Sequence, residues 1–252
     1  MSLKTTDPFE RAFFALMFDW NGTLINDARY YYYKVFLPIL ESFGADMSEY
    51  RTSSGYEELR SEYSKLGREA FVRMIARQQR LRIVVNEKEV ALTWNRDVHP
   101  IVTARYGLGN PNMMPYATVI LKYYSERRIP LGLVSGMPEK PLLKAIEQKG
   151  VRAYFDFIVG DISDKTEAYQ EFIEYANCTD TSESVLSITD ISKDIVEGKL
   201  AGMSVVGIDR GYGSRESLQD AKPMLVVRDL LELRKFRSIQ KRQQIGRALR
   251  AR

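Results

Sequence analysis

The sequence predicts a doubly wound parallel α/β sheet with an all-helical segment inserted after its first strand. Six short apolar runs of strand length are separated by helix-period segments, the alternation that parallel strands joined by helical crossovers produce. Between the first run and the second lie residues 27–110, where helix patterns recur and no convincing strand does. Several runs stop at Gly, Ser or Asp, and open parallel sheets gather ligands at the carboxyl ends of their strands.

Residues 1–11 read as a polar lead-in. The first run, Phe13 to Phe18, breaks at Asp19-Trp20-Asn21-Gly22-Thr23-Leu24, which puts Asp19 at the carboxyl end of a buried strand, where a nucleophile or metal ligand would sit. Taken alone, Asn-Gly is equally the signature of an ordinary tight turn. Arg29-Tyr-Tyr-Tyr-Tyr33 then opens a segment with Val35, Phe36, Ile39, Leu40 and Phe43 at helical spacing, closed by Gly44. Four consecutive tyrosines point around a helix, so packing is expected for most of them, with ligand stacking as the alternative. Further helix patterns cover Tyr56 to Leu66, Arg68 to Gln79 and Val85 to Tyr106, the last with His99, the only histidine, read as structural. Arg51-Thr-Ser-Ser-Gly55 is either a capped helix–helix connection or a loop facing substrate.

Beyond the insertion, Pro115 to Arg128 reads as a helix leading to the run Ile129 to Val134, which ends in Ser135-Gly136. Pro138 to Gly150 is the next helix, with a Gly stop. The run Phe155 to Val159 leads to Gly160, Asp161 and Lys165. Val185 to Ile188 stops at Thr189-Asp190, with Asp194 one turn further at a helix start. Val205 to Ile208 and Met224 to Val227 complete the strands.

At 252 residues the chain holds one large domain, or a domain with an insertion, and a sizeable core. Its 44% apolar and 28% charged content are those of a soluble globular protein. No stretch approaches the roughly 18 apolar residues of a membrane helix and no basic-then-apolar leader opens the chain, so a cytoplasmic protein is expected. Cys178 is the only cysteine, which rules out an intrachain disulfide, and between Asn177 and Thr179 it reads as inert. The net charge of +4 hides an asymmetry: residues 228–252 carry nine Lys or Arg against Asp229 and Glu232, which leaves the first 227 residues net acidic by three. The basic tail, 231–252, with Leu231, Phe236, Ile239, Ile245 and Leu249, is either an amphipathic helix for a membrane surface or nucleic acid, or a solvated helix with a frayed end.

The succession Asp19, Ser135, Lys165 and Asp190-x-x-x-Asp194, each beyond an apolar run, resembles the haloacid dehalogenase superfamily of phosphotransferases, and within it the phosphoglycolate phosphatase-like branch. The resemblance covers residues 12–27 and 112–230. Its most specific part is Thr189-Asp-Ile-Ser-Lys-Asp-Ile-Val-Glu-Gly-Lys-Leu-Ala-Gly-Met-Ser-Val-Val-Gly-Ile208, running on into Gly211-Tyr-Gly-Ser-Arg-Glu-Ser217. It implies a Rossmann-like catalytic core, residues 1–26 and 111–230, and a helical cap, residues 27–110, that closes over the site and selects the substrate.

The resemblance also implies the chemistry. Asp19 becomes the nucleophile that accepts the phosphoryl group, and Mg²⁺ is held by the carboxylates of Asp19 and Asp190 and the backbone carbonyl of Asn21, with Asp194 binding or orienting its waters. Ser135, the Gly136 amide and Thr23 or its backbone donate to phosphoryl oxygens, and Lys165 neutralises nucleophile and phosphate. The substrate implied is a small phosphorylated metabolite. Two residues depart from the family: Asn21 stands where a second Asp is normal, and Thr189 where Gly is. The missing Asp would protonate the leaving alcohol and activate water, a contribution of about 10² to 10⁴ in rate. Dehalogenases and phosphonate hydrolases also lack it, but the first do not need the magnesium that Asp190 and Asp194 imply, and the early cap offers no good Schiff-base lysine for the second. The expectation is a magnesium-dependent phosphatase with specialised acid–base chemistry. The alternative is a weak or inactive relative that binds a phospho-ligand or partner, possibly nucleic acid through its tail.

Overall fold

The computed structural model describes residues 12–42, 44–66, 68–79 and 112–238. The helix expected over Val85 to Tyr106, His99 within it, and the chain from Ile239 onward lie outside these residues. A two-residue strand β1 (Ala12–Phe13) leads into β2 (Ala15–Asp19). The remaining strands are β3 (Leu131–Val134), β4 (Phe157–Val159), β5 (Val185–Thr189), β6 (Ser204–Ile208) and β7 (Leu225–Val227), and β2 to β7 form one sheet in the order β4-β3-β2-β5-β6-β7. Every pairing in it is parallel. All five residues of β2 are buried and show no polar alternation, because helices cover both faces of a doubly wound sheet.

In the helical segment, α1 (Ala28–Tyr31), a π-helical turn (Tyr32–Phe36) and α2 (Leu37–Ser42) follow one another, then α3 (Ser53–Leu66) and α4 (Arg68–Gln78). This segment has its own apolar core, which includes Tyr32, Phe36, Tyr63 and Phe71. Of the tyrosine run, Tyr32 is fully buried and its hydroxyl donates to the Tyr212 carbonyl, while Tyr30, Tyr31 and Tyr33 pack at the edge of the same core. Helix α3 begins at Ser53, three residues before its expected start, because Thr52 Oγ1 accepts from Gly55 N–H (3.0 Å) and caps the helix. Arg51 is paired through both ends of its guanidinium with Glu41. Residues 51–55 are thus a capped connection.

The crossovers are α5 (Ala117–Ser125), α6 (Glu139–Gln148), α7 (Thr166–Tyr175), α8 (Ser192–Leu200) and α9 (Arg215–Asp220). Their sequences bury one stripe each at i, i+3, i+4 spacing, as in Ala117, Ile120, Leu121 and Tyr124 of α5 and Ala168, Tyr169, Phe172 and Ile173 of α7. The way out of the sheet and the way back run side by side, since Asn26 N–H bonds to Asn112 O and Met114 N–H to Leu24 O.

The stretch read as the start of the tail is part of the core. A 3₁₀ turn (Leu230–Lys235) buries Leu230 and Leu233, Phe236 meets Phe13 edge-on at 5.4 Å, and β8 (Arg237–Ser238) pairs with β1. The charge surplus obscured this, because the apolar residues at 230, 233 and 236 fall between basic ones. No helix among the described residues is long and apolar enough to cross a membrane.

Candidate active site

Strand register builds the site. Asp19 is opposite Val134 in β3, and Phe18 is opposite Ile188 in β5. Ser135 and Thr189-Asp190 therefore flank Asp19 at the end of β2. Here the sheet order switches, with β3 and β4 to one side and β5 to β7 to the other, which is where a doubly wound sheet opens a crevice.

Lys165, just before α7, is buried between two carboxylates, with Nζ 2.7 Å from Asp19 Oδ1 and 2.5 Å from Asp194 Oδ2. Asp194 Oδ2 also accepts from Thr189 Oγ1 at 3.0 Å. Thr189, which departs from the expected Gly, thus orients the second carboxylate. Burial alone would lower the Lys165 amine, but Asp19 and Asp194 outweigh it and hold the ammonium well above its ordinary range. Asp19 is raised even so, by burial first and by Asp194 next, with Lys165 opposing.

Asp190 is completely buried. Its Oδ1 accepts from Thr23 Oγ1 (2.7 Å) and its Oδ2 from Tyr212 N–H (2.5 Å). Burial and then Asp19 push it well above the carboxylate range, against those two hydrogen bonds. Two glycines make room for it. A Cβ on Gly22, whose φ is 74°, would lie 2.1 Å from Asp190 Oδ2, and one on Gly211 would lie 1.9 Å from the same atom.

The loop after β2 is tight, with Leu24 and Ile25 N–H both on the Trp20 carbonyl. Within it the Asn21 amide is pinned at both ends. Nδ2 donates to Asp27 Oδ2 at 2.6 Å, and Oδ1 accepts from Ser135 Oγ at 3.4 Å. Asp27 Oδ1 takes the Gly22 N–H at 3.0 Å. Ser135 Oγ also accepts from Met137 N–H, whereas Gly136 is exposed and its N–H enters no hydrogen bond among the described residues.

All the residues singled out from the sequence, Asp19, Asn21, Thr23, Ser135, Gly136, Lys165, Asp190 and Asp194, thus converge at one sheet end. Four contributors were not singled out. Asp27 was read as the first residue of the insertion, Tyr212 gives its backbone N–H to Asp190 and its side-chain hydroxyl to Asp27, Glu197 accepts the Lys165 N–H, and Arg60 of α3 donates to the carbonyls of Gly211 and Gly213. None of the four left a readable signal, because residue type and spacing do not record which way an amide points or which backbone groups a loop presents.

The donors suit a hard dication. Three buried carboxylates are gathered with one ammonium, and Asp190 is raised in part by Asp19, which a divalent charge between them would reverse. No three carboxylates among the described residues already stand at metal-ligand spacing, because the Asp190 oxygens are turned to Thr23 and Tyr212. Each of those oxygens accepts one bond and keeps a second lone pair for a cation.

A family model described as haloacid dehalogenase-like hydrolase matches residues 16–208. Among curated proteins, the phosphoglycolate phosphatase of Pseudomonas fluorescens Pf0-1 is 25% identical over 134 residues, 51% of this chain and 49% of that protein. The chain spans about half the length of the curated relatives it matches. Among solved structures, a predicted phosphoglycolate phosphatase from Haemophilus somnus 129pt superposes with a TM-score of 0.66 at 17% identity, over 88% of this chain and 97% of that one. A β-phosphoglucomutase from Clostridium difficile gives 0.63 at 20%, over 88% and 93%. The two differ in named activity, so at these identities the likeness carries the fold alone.

Proposed function

The chain belongs to the haloacid dehalogenase-like hydrolase family, and we propose that it is a magnesium-dependent phosphatase that hydrolyses a small phosphomonoester through an aspartyl phosphate on Asp19. One observation carries the reading: a buried strand-end carboxylate bridged by a buried lysine to a second carboxylate, with a third, Asp190, beside it and no cation of its own among the described residues. A structural ion pair has no use for the surplus negative charge, since burying it is costly. A phosphoryl-transfer site uses it to hold metal and nucleophile.

Asp19 would attack phosphorus in line with the departing oxygen, forming the acyl phosphate as the P–O bond to the substrate breaks. Lys165 neutralises the nucleophile and the incoming phosphoryl oxygens, while Ser135, Thr23 and the Gly136 amide offer donors to those oxygens. Water then attacks phosphorus and releases the Asp19 carboxylate and inorganic phosphate. Asp19, the Asn21 carbonyl and Asp190 would hold magnesium, with Asp194 orienting its waters, and the ion would supply positive charge to the transferring group. The helical segment, docked on this face, would exclude water and choose the substrate. The phosphoglycolate phosphatases among the relatives point to a small, anionic metabolite.

Asn21 supports a second reading, a relative that binds a phosphorylated ligand and turns it over poorly or not at all. Hydrolysis of nitrophenyl phosphate with and without magnesium separates the two. Metal-dependent turnover that disappears in Asp19→Ala is expected, whereas saturable binding of a phosphorylated ligand with no turnover selects the second.

A further inference from the structure

The donor end of the Asn21 amide is already committed. Asp27 receives hydrogen atoms on both of its oxygens, from Asn21 Nδ2 and from Gly22 N–H, and a carboxylate has no proton to give back. The amide cannot turn over without setting Oδ1 against a carboxylate oxygen. Oδ1 therefore points the other way, to Ser135. From Asp19 to Ile25, Asn21 is the one residue that is not buried, so this is the group the loop shows to the cleft.

We propose that Asp27 is a positioning residue, fixing Asn21 so that an acceptor and not an acid meets the departing oxygen, and that the site consequently takes phosphoryl groups carried on oxygens that leave without a proton, namely aryl, enol or acyl phosphates. The inference rests on the phosphatase reading and narrows its substrate class. No other acid is on hand among the described residues. Lys165 is held by two carboxylates, Ser135 and Thr23 are hydroxyls, and both Asp27 oxygens face inward.

The steps balance without an acid. The Asp19 oxygen forms a bond to phosphorus, the bond to the substrate oxygen breaks, and its electron pair departs with that oxygen as phenolate, enolate or carboxylate. Asn21 Oδ1 then accepts a hydrogen bond from the attacking water and orients it. As the new P–O bond forms and the Asp19–phosphorus bond breaks, the water's proton passes to a phosphoryl oxygen, and inorganic phosphate leaves.

Two measurements test this. In the first, kcat/KM is taken for nitrophenyl phosphate and for an alkyl phosphate on the parent, on Asp27→Asn, and on the exchanged pair Asn21→Asp with Asp27→Asn. In that pair an amide at 27 can donate to the introduced carboxylate, which can serve as acid. The aryl-to-alkyl ratio should be larger in the parent than in the exchanged pair by about 10² to 10⁴, and Asp27→Asn alone should not lower it to the exchanged-pair value. A parent that hydrolyses both esters within about tenfold of each other overturns the substrate class.

The second measurement needs no turnover. The Asn21 side-chain NH₂ should show one strongly downfield, slowly exchanging proton, and this should be lost in both Asp27→Asn and Asp27→Ala. An unchanged resonance in a folded variant overturns the positioning role. If the parent hydrolyses neither ester, the phosphatase reading and the substrate class fall together. The amide resonance then decides whether Asp27 still orients Asn21.

Discussion

Asp190→Asn should stabilise the metal-free protein and abolish its response to magnesium. Asp190 is fully buried, raised by burial and by Asp19, and paired with no cation among the described residues. It lies one residue beyond Thr189, the position in β5 that faces Asp19. A strand spacing of ~4.8 Å and a rise of ~3.3 Å put the two backbones roughly 6 Å apart there. At an effective dielectric near 20, two carboxylates at that distance repel by about 3 kcal/mol. An amide removes the repulsion at little cost in hydrogen bonds. Its oxygen still accepts from Tyr212 N–H, and the Thr23 hydroxyl can turn from donor to acceptor for the new NH₂. With roughly 1–3 kcal/mol surviving as stability, Tm in EDTA should rise by about 3–10 °C for a chain of this size. Magnesium at a hundred times its Kd would stabilise the parent by about 2.7 kcal/mol and the variant hardly at all. Thermal melts of both proteins in EDTA and in excess magnesium should therefore show the variant ahead in the first and its lead reduced or reversed in the second. A variant that melts below the parent in EDTA, or that gains as much from magnesium, refutes the placement of the metal and the electrostatic argument with it.

Lys165→Met leaves Asp19 and Asp194 buried without their ammonium and should cost about 3–5 kcal/mol in urea unfolding at pH 7.5, less at pH 5 where the carboxylates can protonate; an undiminished unfolding midpoint would sink the idea that Lys165 carries the site's charge balance. Burial, with Asp19 adding to it, raises Asp27 from 3.8 to about 6, so between those pH values the folded state binds more protons than the unfolded and stability falls as pH rises. Metal-free parent and Asp27→Asn should thus diverge from pH 4 to pH 6.5 by about 2 kcal/mol in the variant's favour, and parallel pH–stability curves would show that Asp27 is not buried as a charge.

The sheet was legible because its central strands are buried on both faces. Runs such as Ala15-Leu-Met-Phe18 and Val185-Leu-Ser-Ile188 cannot be confused with amphipathic surface, and each is followed by a polar residue on which the register then acts. Strand limits were less legible, since Phe155 is apolar and buried but only leaves a 3₁₀ turn (Arg152–Tyr154) before β4 opens at Phe157. The carboxylates and the lysine announced themselves by residue type. Asp27 did not, because its role lies in a side-chain bond back across the loop to Asn21, and sequence spacing carries no record of which way an amide points. The start of the tail was misread for a related reason: nine basic residues described the composition of residues 228–252, whereas among the described residues up to Ser238 the packing is carried by Leu230, Leu233 and Phe236.

The deepest element invisible in sequence is the joint between the helical segment and the Asp190 cradle. Tyr212 gives its backbone N–H to Asp190 and buries its ring in the core of the helical segment, stacked on Tyr63 at 5.9 Å and edge-on to Tyr32 at 5.3 Å. The Tyr32 hydroxyl holds the Tyr212 carbonyl, Arg60 holds those of Gly211 and Gly213, and Ser64 bonds to both the hydroxyl and the N–H of Ser192 at the start of α8. Besides the Gly213 N–H on the Asp190 carbonyl, the loop that shapes the Asp190 site is therefore fastened by residues of α3 and of the tyrosine run. Withdrawing those helices would expose the Tyr212 ring and leave three loop carbonyls without partners, so the short Gly-Tyr-Gly loop could not be expected to keep its N–H on Asp190. Residues some 150 positions apart thus form one unit, in which the helical segment sets the donor geometry of the Asp190 carboxylate.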